Sequence, residues 1–358
     1  MNHDLGATRL SRRSMLQWAA LGITAPSVLA ACGSSTGSAS GSSSGSSLGS
    51  IAIQLSWIKN IEFAGEFFAT TKGYYTAAGF SAVNLIAGGS AGTSAESAVA
   101  SGKAFVGLSS PGATGPAILQ GAPLKTVATT YQKNPFAILS ISTKKPIAAP
   151  KDMVGKKIGV QQGTNQVLFK ALLTANGVSA SDVTIVPVQY DPTVLATGEV
   201  DGYMAYITNE PILIKSKGYE TTTFLFADYG LPLVSETYVV LQDSIDNDRA
   251  KVKALLKAEI QGWTDAVASP AQSANLAVNN FGKGDGLNLT EQTAEATAQN
   301  GLIVSSDTKK NGLFTMTDAL IAENIEALGK VGVKVTAKQL FDLSLLAEVY
   351  QENPSLKA

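Results

Sequence analysis

The chain has 358 residues, of which 45% are hydrophobic and 15% charged, so it can form a sizeable core with about two lobes or domains. Its 27 Lys and Arg residues balance 28 Asp and Glu residues, and no basic excess predicts a nucleic-acid partner. The single histidine is His3 and the single cysteine is Cys32. These counts exclude a His/Cys metal site, a His-activated nucleophile and an internal disulfide. The composition therefore favours binding over catalysis.

Residues 1–31 are predicted to be an export signal. Arg12 and Arg13 precede an apolar run over 15–30, which is too short to span a bilayer comfortably. The arginine pair, followed by Met-Leu, predicts a twin-arginine signal; the alternative is an ordinary signal for the general secretion route.

Residues 32–50 are predicted to anchor the protein. The sequence LAACG at 29–33 resembles a bacterial lipobox, in which Cys32 would take a diacylglycerol; the alternative is a lone buried cysteine. Residues 33–50 are almost entirely Gly and Ser, and such a segment is predicted to be a flexible tether of roughly 20–25 Å. We therefore expect an exported protein that is lipid-anchored to the cell membrane and faces outwards.

From residue 51 onwards, predicted strands alternate with predicted helices. The strands are predicted at 51–56, 83–87, 104–108, 124–130, 136–142, 157–161, 183–188, 202–207, 222–226 and 236–242. Helices are predicted at 62–72, 95–100, 112–120 and 165–175, and then at 249–268, from Pro270, at 290–299 and at 317–328. This order predicts an α/β protein with two doubly wound, mostly parallel sheets and a helical C-terminal part. A ligand cleft is expected between the lobes, at the carboxyl ends of the strands.

An ordered series of short segments then points to a family. The segments are WIKNIEFAG at 57–65, GYY at 73–75, AGF at 78–80, SGKA at 101–104, QGAPL at 120–124, GKKIGV at 155–160, GEVDG at 198–202 and NEP at 209–211. Together they resemble the type 2 periplasmic solute-binding proteins of ABC importers. The branch is the one that binds thiamine precursors and riboflavin and also contains the thiamine pyrimidine synthases.

The resemblance implies a two-lobed periplasmic-binding-protein type 2 fold whose lobes close on the ligand. Lobe 1 would comprise 51–133 and 236–358, lobe 2 would comprise 134–235, and the crossovers would lie near 132–135 and 232–237. The membrane partner would be the permease and ATPase subunits of an ABC importer. We expect a monomer that needs no cofactor and no metal and that captures a small aromatic nitrogen heterocycle.

Candidate ligand residues in lobe 1 follow the first and third strands. Trp57 could stack on a flat heterocycle, or it could pack at the rim. Asn60 could contact ligand as well as cap the following helix. Glu62 occupies a turn where binders of thiamine precursors typically have a histidine, which leaves the particular ligand open. Ser109 and Ser110 enter a helix, so they could contact ligand or only cap that helix.

In lobe 2, Gly163, Thr164 and Asn165 form a similar helix entry, where a glycine lets a ligand approach the backbone. Tyr190 and Asp228 each end a strand and are further candidates.

Asn209 and Glu210 open another helix. The acidic residue is already explained by the helix dipole. The resemblance nevertheless implies that the Glu210 carboxylate faces the cleft, where it could accept protons from an amine or a ring N–H.

Two other functions compete with this interpretation. A thiamine pyrimidine synthase would need a lysine, a histidine and a cysteine-rich loop, and the corresponding positions here read Ser109, Ala113 and LPLVS at 231–235. A sulfonate or nitrate receptor would favour a positive cleft. The loops instead supply Glu62, Asp191, Glu210 and Asp228.

Overall fold

The computed structural model describes residues 47–89 and 92–357, except for the side chain of Thr164. The predicted export signal, Cys32 and most of the tether lie outside this part of the chain. Within it, no helix combines the length and the apolar character that crossing a membrane requires.

Two five-stranded sheets organise the described chain. The first sheet contains β1 (Ser50–Gln54), β2 (Ala82–Ile86), β3 (Val106–Ser109), β4 (Leu124–Tyr131) and β10 (Ser235–Leu241), in the order β2-β1-β3-β10-β4. The second contains β5 (Phe136–Ile141), β6 (Lys157–Gln161), β7 (Thr184–Val188), β8 (Gly202–Tyr206) and β9 (Thr221–Leu225), in the order β7-β6-β8-β5-β9. The predicted two-lobed α/β architecture is confirmed.

Each sheet contains one strand that runs against its neighbours. Strand β10 is antiparallel to β3 and β4, and β5 is antiparallel to β8 and β9, whereas β1 pairs in parallel with β2 and β3, as β6 does with β7 and β8. The sheets are therefore mostly parallel but mixed. The reason is that β5 and β10 each follow a passage of the chain between the sheets, so each enters its sheet from the edge where the other strands end.

The helices cover both sheets and form the C-terminal part. Their bounds are α1 (Ala64–Thr71), α2 (Tyr74–Ala77), α3 (Ala95–Ala100), α4 (Pro111–Leu119), α5 (Thr164–Ala175), α6 (Thr193–Thr197), α7 (Glu210–Ser216), α8 (Gln242–Asn247), α9 (Arg249–Ala268), α10 (Pro270–Leu276), α11 (Leu289–Ile303), α12 (Ser306–Asn311), α13 (Asp318–Lys330), α14 (Ala337–Leu340) and α15 (Ser344–Glu352). Short 3₁₀ turns include Ile61–Phe63 and Phe226–Tyr229. The predicted helix at 62–72 is thus a 3₁₀ turn that continues into α1.

The two passages between the sheets lie side by side. The side-chain amide of Asn134, on the first passage, donates to the carbonyl of Leu231 on the second at 3.0 Å. On the second passage, the backbone N–H of Val234 donates to the buried Asn324 of α13 at 2.9 Å. Because both segments are held by specific hydrogen bonds, they connect the sheets through a defined junction rather than through a loose linker.

The largest helix contact joins α1 to α9. The α9 side chains of Leu256, Ile260 and Trp263 are buried. Gly65 makes the close approach possible, since a Cβ atom there would lie 2.1 Å from the Trp263 ring. Each fully buried side chain of this kind contributes about 1.5–3 kcal/mol, so this face stabilises the first sheet's half of the molecule.

Two carboxyl groups, Glu66 and Glu259, are buried in the same core. The Tyr75 hydroxyl donates to Glu259 at 2.5 Å, and the Tyr238 hydroxyl lies 2.7 Å from Glu66 and 3.1 Å from Glu259. Burial raises the pKa of Glu66 to about 7 and that of Glu259 well above its usual range. The pair therefore retains protons at pH values where exposed glutamates are ionised.

Candidate functional site

A cavity of about 380 Å³ lies between the two sheets, at the edge where their parallel strands end. The sequence-predicted residues that line it are Trp57, Glu62, Ser109, Ser110, Asn165, Tyr190, Asn209 and Glu210. They come from both sheets, so the fold brings together side chains that are far apart in sequence.

Asn60, Gly163 and Asp228 are not among the described lining residues. Asn60 is buried, and its side chain accepts a hydrogen bond from the Glu62 backbone N–H at 3.2 Å, which is the capping role considered as its alternative. Gly163 caps α5 with a φ of 78°, and Thr164 begins that helix. Asp228 lies on the surface with its side chain 54% exposed and pairs with Lys133 at 2.7 Å. It is placed there because the strand before it ends in a 3₁₀ turn that leads away from the cavity.

Aromatic side chains line the cavity in two contacting pairs. The rings of Trp57 and Tyr190 lie 4.5 Å apart at an interplanar angle of 57°, and those of Phe136 and Tyr206 lie 4.8 Å apart at 83°. Gly89 borders the Trp57 ring, and its φ of 100° suits a residue without a side chain. The first pair joins the two sheets, whereas Phe136 and Tyr206 are cross-strand neighbours on β5 and β8 of the second sheet. Aromatic rings in the cavity wall are suited to contacting a planar ring system.

Two predicted carboxyl groups are almost completely buried in the cavity wall. Burial raises the pKa of Glu62 to about 7, and a hydrogen bond with Asn60 partly offsets this increase. One oxygen of Glu210 accepts the backbone N–H of Tyr206 at 2.8 Å. Burial raises the pKa of Glu210 to about 7 as well, and the nearby charge of Glu62 adds to the increase.

Further carboxyl groups were not predicted from the sequence. Glu236 lines the cavity, is 2% exposed and accepts a hydrogen bond from the Ser56 hydroxyl at 2.8 Å. Behind Asn209, Glu295 accepts hydrogen bonds from that residue at 3.2 Å and from Gln292 at 3.0 Å. Burial raises the pKa of Glu295 to about 8 and that of Glu236 well above its usual range, and the charge of Glu62 contributes to both.

Another stretch of the wall carries hydroxyl and amide groups. The Glu96 carboxylate accepts hydrogen bonds from Ser109 and, at 3.1 Å, from Thr114. On the other sheet, the Asn165 amide donates to Gln161 at 3.1 Å, and Gln161 donates to the backbone of β8. This wall offers donors and acceptors to a hydroxylated ligand.

Among the described lining residues there is no lysine, arginine or histidine. The site therefore combines aromatic faces, polar groups and acidic side chains without a balancing positive charge. Such a cavity suits an uncharged or cationic ring compound and disfavours a permanent anion, because an anion would lie beside carboxyl groups in a poorly solvated space.

Some lining residues that were missed from the sequence share one signal. Ser56 ends a predicted strand and Phe136 begins one, so a rule that includes every residue at such a strand end would have found them. Glu236 is the second residue of β10 and the first residue of the predicted strand at 236–242, so the same rule would have included it. It reaches the cavity only because β10 runs against its neighbours and starts at the edge where they finish.

The profile of the NMT1/THI5-like family matches residues 60–273. The chain belongs to this family. The riboflavin-binding protein RibY of Chloroflexus aurantiacus is 28% identical to this NMT1/THI5-like chain over 310 residues, which cover 81% of the chain and 84% of the relative. The formylaminopyrimidine-binding protein of Halalkalibacterium halodurans is 22% identical over 162 residues, or 44% of the chain and 49% of that relative.

A solved structure has the same fold as this member of the NMT1/THI5-like family. The periplasmic aliphatic sulphonate binding protein SsuA of Escherichia coli superposes with a TM-score of 0.63 at 13% identity, over 82% of this chain and 92% of SsuA.

The curated relatives are binding proteins, and the NMT1/THI5-like chain is likewise a solute-binding protein and not an enzyme. Consistent with this, the positions where the resemblance expects a synthase's lysine and histidine are Ser109 and Ala113, which both line the cavity.

Proposed function

We propose that the protein is an extracytoplasmic, lipid-anchored receptor that captures a flat nitrogen heterocycle, with riboflavin as the first candidate, and delivers it to an ABC importer. The observation that carries the proposal is the composition of the cavity. Aromatic rings from both sheets and several carboxyl groups line it, and no basic side chain is present among its described residues. An electron-poor ring with N–H groups is the ligand that such a wall recognises best.

The size of the cavity and the comparisons favour riboflavin over a single pyrimidine ring. About 380 Å³ falls within the range of pockets that hold drug-sized ligands. The polar wall around Glu96, Ser109 and Asn165 would accept the hydroxyl groups of a sugar-alcohol chain. The match to the riboflavin-binding relative also extends over far more of both chains than the match to the formylaminopyrimidine-binding one.

A sulfonate or nitrate receptor is the second candidate, because the sulphonate-binding protein of E. coli has the same fold. At 13% identity this likeness concerns the fold alone. A sulfonate is a permanent anion and requires positive or strongly hydrogen-bond-donating groups around it. The cavity instead contains Glu62, Glu96, Glu210 and Glu236, so this candidate is disfavoured.

The delivery step rests on the N-terminal sequence. A lipid on Cys32 and a Gly/Ser tether would hold the receptor within a short distance of a membrane partner, which raises the effective concentration of the loaded receptor at the importer. Export would precede lipidation, since the arginine pair and the apolar run stand before the cysteine.

Calorimetric titration of the purified soluble body, residues 47–358, tests the proposal. The protein is first freed of small molecules by reversible unfolding and is then titrated with riboflavin, with formylaminopyrimidine and with propanesulfonate. Saturable binding of riboflavin and no heat from propanesulfonate are expected. Binding of propanesulfonate alone would refute the heterocycle assignment. Mass spectrometry of the small molecules released by the unfolding step identifies the natural ligand independently.

A further inference from the structure

Glu236 is held in an unusual backbone conformation at the junction of the two sheets. Its φ of 47° lies in the left-handed region, and among the described residues the only other non-glycine residue with a positive φ is Phe314. A glycine at this position would avoid the steric cost that any other residue meets there. A strained residue that lines a cavity suggests a role for its side chain.

One oxygen of the Glu236 carboxyl group is held in place and the other is free. Ser56 donates to Oε2 at 2.8 Å, whereas no donor in the described part of the chain reaches Oε1. The residue is 2% exposed and borders the cavity, so the space next to Oε1 belongs to the ligand site and not to bulk solvent. Oε1 is not among the fully buried side-chain atoms that lack a partner, so it keeps some exposure, and a molecule in the cavity can form a hydrogen bond with it.

The surroundings of Glu236 favour a carboxyl group that both donates and accepts. Burial raises the pKa of Glu236 well above its usual range, and the charges of Glu62 and Glu66 add to the increase. A protonated carboxyl group offers an O–H donor beside a carbonyl acceptor. With the proton on Oε1, the Oε1–H group can donate to a ring acceptor, while Oε2, which has two lone pairs, can accept from the adjacent ring N–H as well as from Ser56.

We propose that Glu236 is a ligand-contacting, specificity-determining residue that recognises the donor–acceptor edge of a heterocycle. For riboflavin this edge is the imide of the ring system, and for an aminopyrimidine it is the amino group beside a ring nitrogen. The proposal deepens the proposed function and rests on it. Ser56 is a positioning residue, because it orients the carboxyl group and leaves Oε1 directed at the ligand.

Binding of riboflavin and of 3-methylriboflavin, in which the imide N–H is blocked, tests the contact. The wild type should bind the methylated compound about tenfold to a hundredfold more weakly. E236Q keeps a donor beside an acceptor and should retain this discrimination. E236M keeps the length and the backbone strain but has no hydrogen-bonding group, and it should bind both compounds with similar, weakened affinity.

E62M is the matched control, since it removes another lining carboxyl group in the same way. It should retain the discrimination between the two flavins. Undiminished discrimination in E236M, or its loss in E62M instead, would overturn the assignment. If the wild type binds no flavin, the riboflavin proposal fails separately from the assignment of Glu236. The same variants are then titrated with formylaminopyrimidine. E236M should bind that compound about tenfold or more weakly than the wild type.

Thermal unfolding without ligand separates recognition from a structural role whatever the ligand is. E236M should unfold at the wild-type temperature or above it, because the substitution removes a buried ionisable group and leaves the backbone strain unchanged. S56A should likewise change the midpoint by no more than about 2–4 °C. A larger decrease in E236M would show that Glu236 is retained for the fold, and the proposal would be wrong.

Discussion

The ring of Trp57 lies 4.5 Å from the ring of Tyr190, although the two residues follow strands of different sheets. Tyr190 is 37% exposed, so this contact lies near the mouth of the cavity, with the carboxyl groups deeper inside. The pair thus joins the two halves of the molecule on the side where a ligand enters. A planar ligand that inserts between these rings must separate them, whereas one that lies beneath them leaves their contact intact.

Replacement of Trp57 by alanine should weaken ligand binding by about 1–3 kcal/mol. This is the range for removing an aromatic side chain that stacks on a nucleic-acid base. Tyr190→Ala should also weaken binding, and the double variant should lose less than the sum because the two rings touch. W57F, which retains a ring, is the control. Calorimetric titration with riboflavin measures these losses, and wild-type affinity in W57A would show that the tryptophan only packs the rim.

Glu210→Gln should weaken the binding of a ligand that donates an N–H, and the effect should depend on pH. The raised pKa of Glu210, about 7, means that the wild type is mostly ionised at pH 8 and mostly protonated at pH 6. Loss of a charge-assisted hydrogen bond at pH 8 should cost about 1.5–3 kcal/mol, and the loss at pH 6 should be smaller. Titrations at both pH values test this, and an equal loss at both would argue against an ionised partner.

Glu259→Gln should stabilise the protein at alkaline pH. The folded-state pKa values of Glu66 and Glu259 are raised, so the folded state binds protons that the unfolded state has lost. The stability linked to these protons is complete below about pH 4.5 and declines as pH rises through about 7 and beyond. We expect E259Q to gain about 1–3 kcal/mol in unfolding free energy at pH 8.5 and little at pH 5. Denaturant titrations at both pH values decide it, and a uniform loss would contradict the retention of protons by this buried pair.

The two halves should close further on a bound ligand, by rotation about the passages at 132–135 and 226–234. Short connecting segments can absorb changes in φ and ψ while each sheet stays rigid. Small-angle scattering should show a smaller radius of gyration with saturating riboflavin than without ligand. An unchanged radius at saturation would exclude hinge closure of measurable size.

Cys32→Ala should release the full-length protein from the membrane without changing its unfolding temperature. Each buried CH₂ of an acyl chain contributes about 0.8 kcal/mol to membrane binding, and the variant would have no acyl chain. Cell fractionation compares the variant with the wild type, and Cys32→Ser serves as a second non-lipidated form. Tight membrane association of both variants would rule out the lipid anchor.

The candidate site was predictable in part, because strand ends can be recognised in a sequence. Trp57, Ser109 and Tyr190 each follow an apolar run, and all of them reach the cavity. Asp228 has the same sequence signature but lies on the surface beside Lys133. A pattern of strand and turn does not contain the direction in which the turn leads, since that depends on the packing of the next element.

The sequence alone determined the α/β class and the alternation of elements, because hydrophobic periodicity and turn residues act locally. It also determined that a single histidine, His3, and a single cysteine, Cys32, cannot supply a His/Cys metal site or a His-activated nucleophile in the predicted lobes. Only the tertiary structure decided that β5 and β10 are reversed within their sheets. The reversal places Glu236 at the cavity, where partners distant in sequence, such as Ser56, orient its carboxyl group. Strand direction and carboxyl burial arise from contacts between remote segments, and local sequence patterns do not encode such contacts.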